Sequence, residues 1–346
     1  MKVMHVLNSR IYSGAEKVVC QIIKAFRSVD NVEMVYCSPD SDIVRQMLEE
    51  QDVTYLSMQT MSVKELSRVI RQEKPDVIHA HDMRASFFSA LCCGKIPLVS
   101  HIHNNAYDAR GLSPKTIAYL LAGFKAKKIL WVSNSSYEGY AFHKFFAKKS
   151  SVLYNIIDEE QILDKKAQDG NTYDYDMIYV GRLTYQKDPQ RLMGLCARLK
   201  ELRPNLNVAI VGTGELEQEV KELCRELGIE ENVHFLGFQP NPIKMVADSK
   251  AMILTSRWEG TPMCALEAMA LGTPVVSTPS DGMKDIIQDG VSGYLTEDDA
   301  RMTEVLLKIM NEHDHRQYLA ENARKKFDEI NDEEAYLRAI AACYEG

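Results

Sequence analysis

Residues 251–277 read AMILTSRWEGTPMCALEAMALGTPVVS, and this stretch decides the fold of the chain. An apolar run over residues 251–254 opens it, and a second apolar run over residues 274–277 closes it. Short apolar runs of this kind are typical of buried strands. The segment between them begins as a polar, glycine-containing loop and continues in Ala, Leu, Met and Glu, which favour helix. The stretch therefore predicts a strand, a loop, a helix and a second strand of an α/β protein.

The start and the end of the central helix are predicted from three residues. Thr261 is a good N-cap, and Pro262 suits the first helical position because no backbone N–H is needed there. Gly272 is a natural C-terminal stop. On this prediction Glu259 lies in the loop immediately before the helix, and Glu267 lies in its second turn.

A helix start flanked by two carboxylates has a binding chemistry of its own. Free N–H groups and the positive end of the helix dipole attract an anion or polarised hydroxyls. Gly260 has no Cβ and lets a ligand approach the backbone closely. Glu259 and Glu267 can accept hydrogen bonds from sugar hydroxyls without a metal. The alternative is a capped amphipathic helix with two solvated glutamates, which the spacing alone favours.

The sequence on both sides of these glutamates favours the binding site over the solvated helix. EGTP at residues 259–262 followed by EAMALGTPVV at residues 267–276 resembles the E-x7-E signature of the large retaining glycosyltransferase family called family 4. The resemblance implies that a nucleotide-sugar donor is bound around the helix start, by Glu259, Gly260, Thr261, Pro262, Met263 and Glu267.

Both halves of the chain alternate strand-like and helix-like segments, which implies parallel sheets covered by helices. In the first half, short buried strands are predicted at residues 3–7, 32–37, 53–56, 77–80, 98–102, 129–132 and 151–154. In the second half, they are predicted at residues 177–180, 208–211, 233–236, 252–254 and 275–277. We therefore expect two Rossmann-like, doubly wound α/β domains, which bind ligands beyond the carboxyl ends of their strands.

These segments define the predicted domains. Residues 1–158 form the first domain, and residues 172–328 form the second. The polar segment over residues 159–176 is predicted to contain the linker, and the helix within residues 329–346 is expected to fold back onto the first domain. The family resemblance implies the GT-B architecture, with the acceptor on the first domain, the nucleotide sugar on the second and a ligand cleft between them.

Length and composition restrict the possibilities further. The chain has 346 residues, which is enough for two domains. No apolar run is long enough to cross a bilayer, and the N-terminus lacks the apolar segment of a signal peptide. The eight cysteines include no Cys-x-x-Cys pair, so buried free thiols in a reducing cytosol are expected.

Charge is distributed unevenly along the chain. Residues 1–150 carry 20 Lys and Arg against 14 Asp and Glu, whereas the remainder carries 21 against 35. The basic residues concentrate in residues 113–150, where seven lysines alternate with aromatic and leucine side chains. Such a surface can rest on an anionic bilayer, and the alternative is two ordinary amphipathic helices with solvated lysines. No nucleic-acid motif accompanies the charge, so nucleic acid is not expected as a partner.

The loop after the first predicted strand reads NSRIYSGAE at residues 8–16. It is not a Gly-x-Gly-x-x-Gly fingerprint, so a dinucleotide site is not expected. It resembles the Gly-Gly-Ala-Glu loop of family 4, with Ser13 in place of the first glycine. The resemblance implies that Gly14 contacts the donor and Ser13 the acceptor, while the residues alone also fit a plain strand-to-helix turn.

Four histidines lie near the ends of two neighbouring predicted strands: His79, His81, His101 and His103. The pairs are two residues apart, so each pair lies on one side of its strand. No cysteine or HExxH pattern supports zinc, and we expect no metal here. The family resemblance implies that His103, with His101 as its rival, hydrogen-bonds the donor sugar, and that His101 and Asn104 contact the acceptor. Histidines satisfied within the core are the alternative for the first pair.

The segment VGRLTYQKDP at residues 180–189 places two cations between a strand and a helix. Arg182 offers a rigid fork and Lys187 a mobile point charge, and both suit a diphosphate. The segment resembles the family's Gly-Arg-Leu-x-x-x-Lys motif, although solvated surface cations are the alternative. Two further strand-to-loop transitions, at Gly212 and at Gly237-Phe238, are implied by the resemblance to receive the nucleotide.

Two Asp-x-Asp triplets, at residues 40–42 and 174–176, could in principle hold a metal at a diphosphate. The first lies near a predicted helix start and the second in the predicted linker, so we interpret both as capping residues. The sequence therefore predicts no cofactor and metal-independent chemistry.

The resemblance implies a retaining glycosyltransferase that moves a hexose or N-acetylhexosamine from a nucleoside-diphosphate sugar, a UDP-sugar, to a glycan or lipid-linked acceptor. The catalytic residues would be Glu259, His103, Arg182 and Lys187. We expect a cytoplasmic protein, peripheral on the inner face of the plasma membrane, in capsule, exopolysaccharide or O-antigen synthesis. Two alternatives stay open: a UDP-sugar 2-epimerase of the same fold, and a non-catalytic binding subunit.

Overall fold

The computed structural model describes residues 1–103, 109 and 111–345, and it divides into two compact units. The first unit comprises Met1–Ile156 together with the chain from Glu333 onwards, and the second comprises Ile157–Asp332. Each unit is built on one parallel sheet with helices packed against it, so the predicted α/β class is confirmed.

The sheet of the first unit contains seven strands in the part of the chain that is described, in the order β3-β2-β1-β4-β5-β6-β7. They are β1 (Lys2–Val6), β2 (Glu33–Pro39), β3 (Tyr55–Met58), β4 (Val77–Ala80), β5 (Leu98–Ile102), β6 (Lys128–Trp131) and β7 (Ser150–Val152). All are parallel neighbours, and β1, β4 and β5 are buried along almost their whole length. A strand covered by helices on both faces is apolar at most positions, which is why the short apolar runs predicted these strands to within two or three residues.

The second unit, which the structure describes throughout, has a six-stranded sheet in the order β10-β9-β8-β11-β12-β13. Its strands are β8 (Met177–Val180), β9 (Val208–Val211), β10 (Val233–Gly237), β11 (Ala251–Leu254), β12 (Val275–Ser277) and β13 (Gly293–Leu295). The sequence did not predict β13, which is three residues long and lies at the edge of the sheet. So short a run carries too little apolar periodicity to be recognised.

Helices connect these strands. In the first unit they are α1 (Gly14–Ala25), α2 (Asp42–Glu49), α3 (Val63–Glu73), α4 (Met83–Cys92), α5 (Pro114–Lys125) and α6 (Asn134–Glu138). In the second unit they are α7 (Glu159–Gln168), α8 (Pro189–Leu202), α9 (Glu217–Glu226), α10 (Ile243–Asp248), α11 (Met263–Ala270), α12 (Asp281–Ile286), α13 (Asp299–Asn311) and α14 (His313–Ile330). The last helix, α15 (Glu333–Tyr344), belongs to the first unit.

Two predictions about these helices need correction. Most of the segment predicted to contain the linker forms α7, because Asp158 caps it by accepting a hydrogen bond from the backbone of Gln161. The helix of the opening stretch begins at Met263, so Pro262 is its N-cap and not its first residue, and Thr261 lies outside it. Gly272 follows the helix with φ of 71°, which agrees with the predicted stop.

The described chain contains no helix that is both long and apolar enough to span a bilayer.

The core of the first unit includes the buried rings of Tyr119, Trp131, Tyr140 and Phe146. The ring of Tyr140 lies beside the rings of the other three.

Candidate functional site

The centre of the candidate site in the second unit is the carboxylate of Glu259, whose residue is 4% exposed. The ammonium group of Lys187 donates a hydrogen bond to Oε1 of Glu259 and forms an ion pair with it. The hydroxyl of Ser256 donates to the same oxygen over 2.6 Å. The structure thus brings together two residues that the sequence had assigned to one site from separate motifs.

Hydrogen bonds to backbone carbonyl oxygens hold the loop with Lys187 and the loop with Glu259 to each other. The side-chain amide of Gln186 donates to the carbonyl oxygen of Trp258 over 2.9 Å. The backbone N–H of Arg257 donates to the carbonyl oxygen of Gln186 over 2.8 Å. The hydroxyl of Thr255 donates to the carbonyl oxygen of Lys187 over 3.0 Å. Because these contacts fix both backbones, Lys187 and Glu259 meet in a defined geometry.

Arg257 strengthens the same junction from the solvent side. Its guanidinium lies 2.8 Å from a carboxylate oxygen of Asp188 and 4.3 Å from the centre of the Tyr185 ring. Asp188 has φ of 49° and precedes α8, where its side chain pairs with Arg257 and does not cap the helix. This contact could not be predicted, because an Arg and an Asp 69 positions apart form no local pattern.

Arg182 lies on the loop after β8, and its side chain is exposed. The hydroxyl of the buried Tyr179 donates to the carbonyl oxygen of Arg182 over 2.8 Å and so fixes the backbone of this loop. Within the described residues, the guanidinium of Arg182 has no hydrogen-bond or ion-pair partner. It is therefore a cation that an anionic ligand can reach, whereas Lys187 is already paired with Glu259.

The start of α11 is buried over its whole approach, from Gly260 through Thr261 and Pro262 to Met263. Glu267, in the second turn, is 4% exposed and takes part in a polar interaction within the protein. A Cβ atom built on Gly282 would overlap the carbonyl oxygen of Gly260. The residue that supports the loop from behind is therefore a glycine by necessity.

Two glycines predicted to lie at the nucleotide have the backbone conformations that favour glycine. Gly212 has φ of 130° and Gly237 has φ of 66°. The N–H of Gly212 donates to the carbonyl oxygen of Gly237 over 2.8 Å. A Cβ on Gly212 would overlap the carbonyl oxygen of Gly181, and the side chain of Phe238 is 51% exposed. The loops after β8, β9 and β10 therefore lie side by side at the carboxyl edge of the sheet.

In the first unit, the predicted loop leads into α1 through Ser13, which is its N-cap. The carboxylate of Glu16 accepts hydrogen bonds from the N–H of Ser13 over 2.9 Å and from its hydroxyl over 2.7 Å. Gly14 is the first residue of the helix. The loop is therefore a well-formed strand-to-helix turn.

Five histidines of the described first unit form one cluster, made of the four predicted ones and His5 on β1. The sequence analysis missed His5, although β1 lies beside β4 and His5 is the register partner of His79. Ring nitrogens of His5 and His81 lie 2.8 Å apart, and those of His81 and His103 lie 2.9 Å apart. His79 contacts the hydroxyl of Tyr344, on α15, over 2.7 Å.

Burial keeps these imidazoles neutral. It lowers the pKa of His5 and of His103 to about 3, and it holds the pKa values of His79, His81 and His101 well below their ordinary value. Each ring therefore offers one donor and one acceptor nitrogen at neutral pH. Both ring nitrogens of His101 are buried without a hydrogen-bond partner in the described part of the chain. Asn104, the remaining predicted acceptor residue, lies outside the described residues.

The basic segment separates into a buried and an exposed face. The rings of Tyr119 and Phe146, which the sequence analysis assigned to a surface, are buried in the core. Leu120 and Phe142 are partly buried against that core, whereas four large side chains are exposed: Ile117 by 54%, Leu121 by 56%, Phe124 by 61% and Phe145 by 69%. Residues 143–149 form a short 3-10 helix, so a second amphipathic α-helix is absent from this described segment.

The two Asp-x-Asp triplets have structural partners. In the first triplet, Ser41 caps α2 and Asp42 is the first residue of that helix, so the predicted helix start is present although neither aspartate is its cap. Asp176 was also interpreted as a capping residue, and this was wrong: its carboxylate pairs with Arg203 over 2.9 Å and with Lys250 over 2.7 Å. A carboxylate already paired with two cations has its oxygens engaged within the fold.

Comparison with known proteins relates both units to glycosyltransferases. The family model described as Glycosyltransferase Family 4 matches residues 12–161, and the model described as Glycosyl transferases group 1 matches residues 160–326. Together the two matches span residues 12–326, which contain every predicted site residue of both units.

Similar proteins come from archaea and bacteria. An uncharacterized glycosyltransferase of Methanocaldococcus jannaschii is 29% identical over 232 residues, which make up 61% of this chain and 57% of that protein. The chain thus spans little more than half the length of this relative. A Campylobacter jejuni protein named GalNAc-alpha-(1->4)-GalNAc-alpha-(1->3)-diNAcBac-PP-undecaprenol alpha-1,4-N-acetyl-D-galactosaminyltransferase is 28% identical over 289 residues, 80% of this chain and 77% of that one.

A solved structure shows the same fold. The crystal structure of Anabaena Alr3699/HepE in complex with UDP-glucose superimposes with a TM-score of 0.84, covering 99% of this chain and 98% of that one. Its sequence is 22% identical to this chain, so the likeness concerns the fold.

Proposed function

Because this chain belongs to the group 1 glycosyltransferases of family 4 and has their GT-B fold, we propose that it transfers a sugar from a UDP-sugar with retention of the anomeric configuration. The sugar is a hexose or an N-acetylhexosamine, and the acceptor is a glycan or a lipid-linked saccharide. The observation that carries the proposal is the contact of Lys187 and Ser256 with Glu259, on the carboxyl side of the strands where the exposed Arg182 follows β8.

The two cations act on the leaving group. Negative charge grows on the diphosphate as the bond to the sugar breaks, and cations held in place stabilise that charge without reorganising. Arg182 is exposed and unpaired within the described residues, so it can take a phosphate directly. Lys187 lies on the same loop, in the short 3-10 turn that precedes α8, and its ion pair with Glu259 fixes its ammonium group.

The carboxylates position the donor. Glu259 has a second oxygen, Oε2, beyond the one that Lys187 and Ser256 contact, and it accepts hydrogen bonds from sugar hydroxyls. Glu267 accepts from the ribose hydroxyls. The backbone at Gly260, Thr261, Pro262 and Met263 approaches the diphosphate and sugar, and the loops at Gly212 and Gly237-Phe238 receive the nucleotide. The neutral imidazole of His103 hydrogen-bonds the donor sugar, with Gly14 beside it.

A uridine nucleotide is supported by the complexes of the Anabaena protein with UDP and with UDP-glucose, whose fold this chain shares. A polysaccharide or lipid-linked acceptor is supported by the Campylobacter jejuni relative, whose name gives an undecaprenol diphosphate acceptor. Ser13, His101 and Asn104 are the acceptor-binding residues of the proposal.

The decisive experiment incubates the purified protein with a panel of nucleotide sugars and follows release of the nucleotide and the anomeric proton of the product by NMR. Turnover of a UDP-sugar that yields the donor's anomer supports the proposal. The opposite anomer would refute retention, and conversion of the sugar nucleotide to its 2-epimer without transfer would favour an epimerase.

The reaction needs no metal in this proposal, because Arg182 and Lys187 supply the positive charge that a metal would otherwise supply. Activity is therefore expected to persist in EDTA. Loss of activity in EDTA that Mn²⁺ restores would overturn this part of the proposal.

In this proposal the protein acts on the inner face of a bacterial plasma membrane, in capsule, exopolysaccharide or O-antigen synthesis, and the exposed apolar face of α5 together with Phe145 supports the membrane contact. Ile117, Leu121 and Phe124 are spaced along one face of the helix, and Lys125 and Lys148 flank it. Apolar side chains enter the headgroup region while lysines meet anionic lipids. Flotation with liposomes tests this, since binding that does not depend on anionic lipid would contradict it.

A further inference from the structure

Three of the clustered histidines meet at the carboxyl ends of β4 and β5. His81 directly follows β4, His101 lies within β5 and His103 directly follows β5. One ring nitrogen from each lies within 4.8 Å of the others. His81 and His101 are buried, whereas His103 is partly exposed, so the group has one side toward the surface of the unit.

This group contains a polar side chain that the described protein does not satisfy. Neither ring nitrogen of His101 has a hydrogen-bond partner among the described residues, although both are buried. A buried imidazole without a partner destabilises a fold, so such atoms in a native structure call for a missing ligand or water. The ring of His101 lies next to that of His103, with their centres 4.1 Å apart and their planes inclined by 35°.

We propose that His81, His101 and His103 bind a divalent transition metal ion of the zinc type. Imidazole is the nitrogen ligand that Zn²⁺, Cu²⁺ and Ni²⁺ favour, and three histidines with an open fourth position are a known zinc arrangement. Mg²⁺ and Ca²⁺ prefer oxygen ligands, so they are not expected to bind.

The distances allow this with a small adjustment. Nδ1 of His81 and Nε2 of His103 are 2.9 Å apart. Zn–N bonds of about 2.0–2.1 Å in tetrahedral geometry put two ligand nitrogens about 3.3 Å apart. Opening the pair by a few tenths of an ångström, with a rotation of the unpartnered His101, completes the site.

The second possible trio, His5, His79 and His81, is a poorer site. Its rings already have other contacts: Nε2 of His5 lies 3.4 Å from the sulfur of Met34, and Nδ1 of His79 lies 2.7 Å from the hydroxyl of Tyr344. All three side chains are buried, whereas the other trio includes one that is partly exposed. The trio with the partly exposed His103 is therefore the one proposed.

This site goes beyond the proposed glycosyl transfer, in which His101 and His103 also take part. It lies in the first unit, and it shares no ligand with the cations proposed to act on the diphosphate. Binding can therefore be measured without any turnover.

The experiment titrates the demetallated full-length chain with Co²⁺, whose absorption distinguishes tetrahedral from octahedral coordination, and then displaces it with Zn²⁺. We expect one Co²⁺ per chain with a tetrahedral spectrum, displacement by Zn²⁺, and a Tm that rises in Zn²⁺. His101→Phe and His81→Gln are expected to weaken binding by at least about tenfold and to remove the rise in Tm, because two imidazoles remain. His234→Gln, at an exposed position of β10, is the matched control and should bind as the unaltered chain does.

Two results would overturn the proposal. The first is a chain that takes up no Co²⁺ or shows only an octahedral spectrum. The second is binding that survives His101→Phe, and if His79→Gln then abolishes that binding, the ion lies in the other trio. The Tm of each variant without metal reports folding, and His101→Phe, which removes two unpaired nitrogens, decides the matter if His81→Gln does not fold.

Discussion

Gly282, in α12, lies directly against the carbonyl oxygen of Gly260, so closely that a single added methyl group would overlap it. The two residues are both buried, and Gly260 follows Glu259 in the chain. The position of the loop that carries Glu259 therefore depends on the absence of a side chain at residue 282, in α12.

Gly282→Ala is expected to displace the loop that carries Glu259. Forcing a methyl group into packed backbone costs about 1–3 kcal/mol, and the Glu259 loop is the part that has to move. We expect a lower Tm together with a loss of UDP-sugar turnover larger than the loss of stability explains. Gly194→Ala is the control, because a methyl group there meets no atom within 4 Å and helix α8 gains propensity. Unchanged turnover in Gly282→Ala would show that the loop does not position the donor.

Lys187→Ala is expected to lower kcat by about 10²–10³, because it removes a cation held at the developing charge and leaves the buried Glu259 carboxylate without its ion-pair partner. The measurement is nucleotide release at saturating UDP-sugar. Lys221→Ala is the matched control. The ion pair of Lys221 with Glu217, at 2.6 Å, lies on the surface, so this substitution should change neither kcat nor Tm appreciably. A Lys187→Ala enzyme that loses affinity for the donor at an unchanged kcat would assign Lys187 to binding alone.

The histidine cluster predicts acid sensitivity. In the folded chain the pKa values of His5 and His103 are lowered from 6.5 to about 3, so between these pH values the unfolded chain binds protons that the folded chain does not. Stability is therefore complete above pH 6.5 and is lost as the pH falls toward 3, by up to about 1.4 kcal/mol per pH unit for each such histidine.

The measurement for the acid effect is the free energy of unfolding by denaturant from pH 7 to pH 5 in the presence of a chelator. His5→Gln should reduce the slope of the unfolding free energy against pH by the contribution of about one proton, whereas His234→Gln, at an exposed site, should leave that slope unchanged. A stability that is constant from pH 7 to pH 5 would mean that these imidazoles become charged in the folded state.

The exposed face of α5 gives a prediction for membrane binding. Leu121→Ser combined with Phe124→Ser removes two side chains that are 56% and 61% exposed, so the fold should keep its Tm. Flotation with anionic liposomes should fall strongly, because the buried apolar area on the membrane is lost. Leu202→Ser, at a position 65% exposed in the second unit, is the control. Equal flotation of all three proteins would contradict a membrane role for this face.

Local patterns were sufficient for most of the fold. Apolar runs predicted twelve of the strands because a parallel sheet buried on both faces requires apolar residues at successive positions. Segment 180–189 predicted the junction of β8 and α8 because Pro189 suits a first helical turn. Predictions failed where neighbours in space decided the outcome: Asp176 pairs with Arg203 and Lys250 instead of capping a helix, and the rings of Tyr119 and Phe146 turn inward.

The sequence by itself determined which residues form strands and helices and which motifs carry carboxylates and cations, because these properties depend on side chains within a few positions of one another. Tertiary structure alone decided that Lys187 and Ser256 share one oxygen of Glu259, that Gly282 supports Gly260, and that His5 joins the other histidines. Lys187 and Glu259 are 72 positions apart, and contacts of that range arise only when the order of strands in the sheet brings their loops to the same edge.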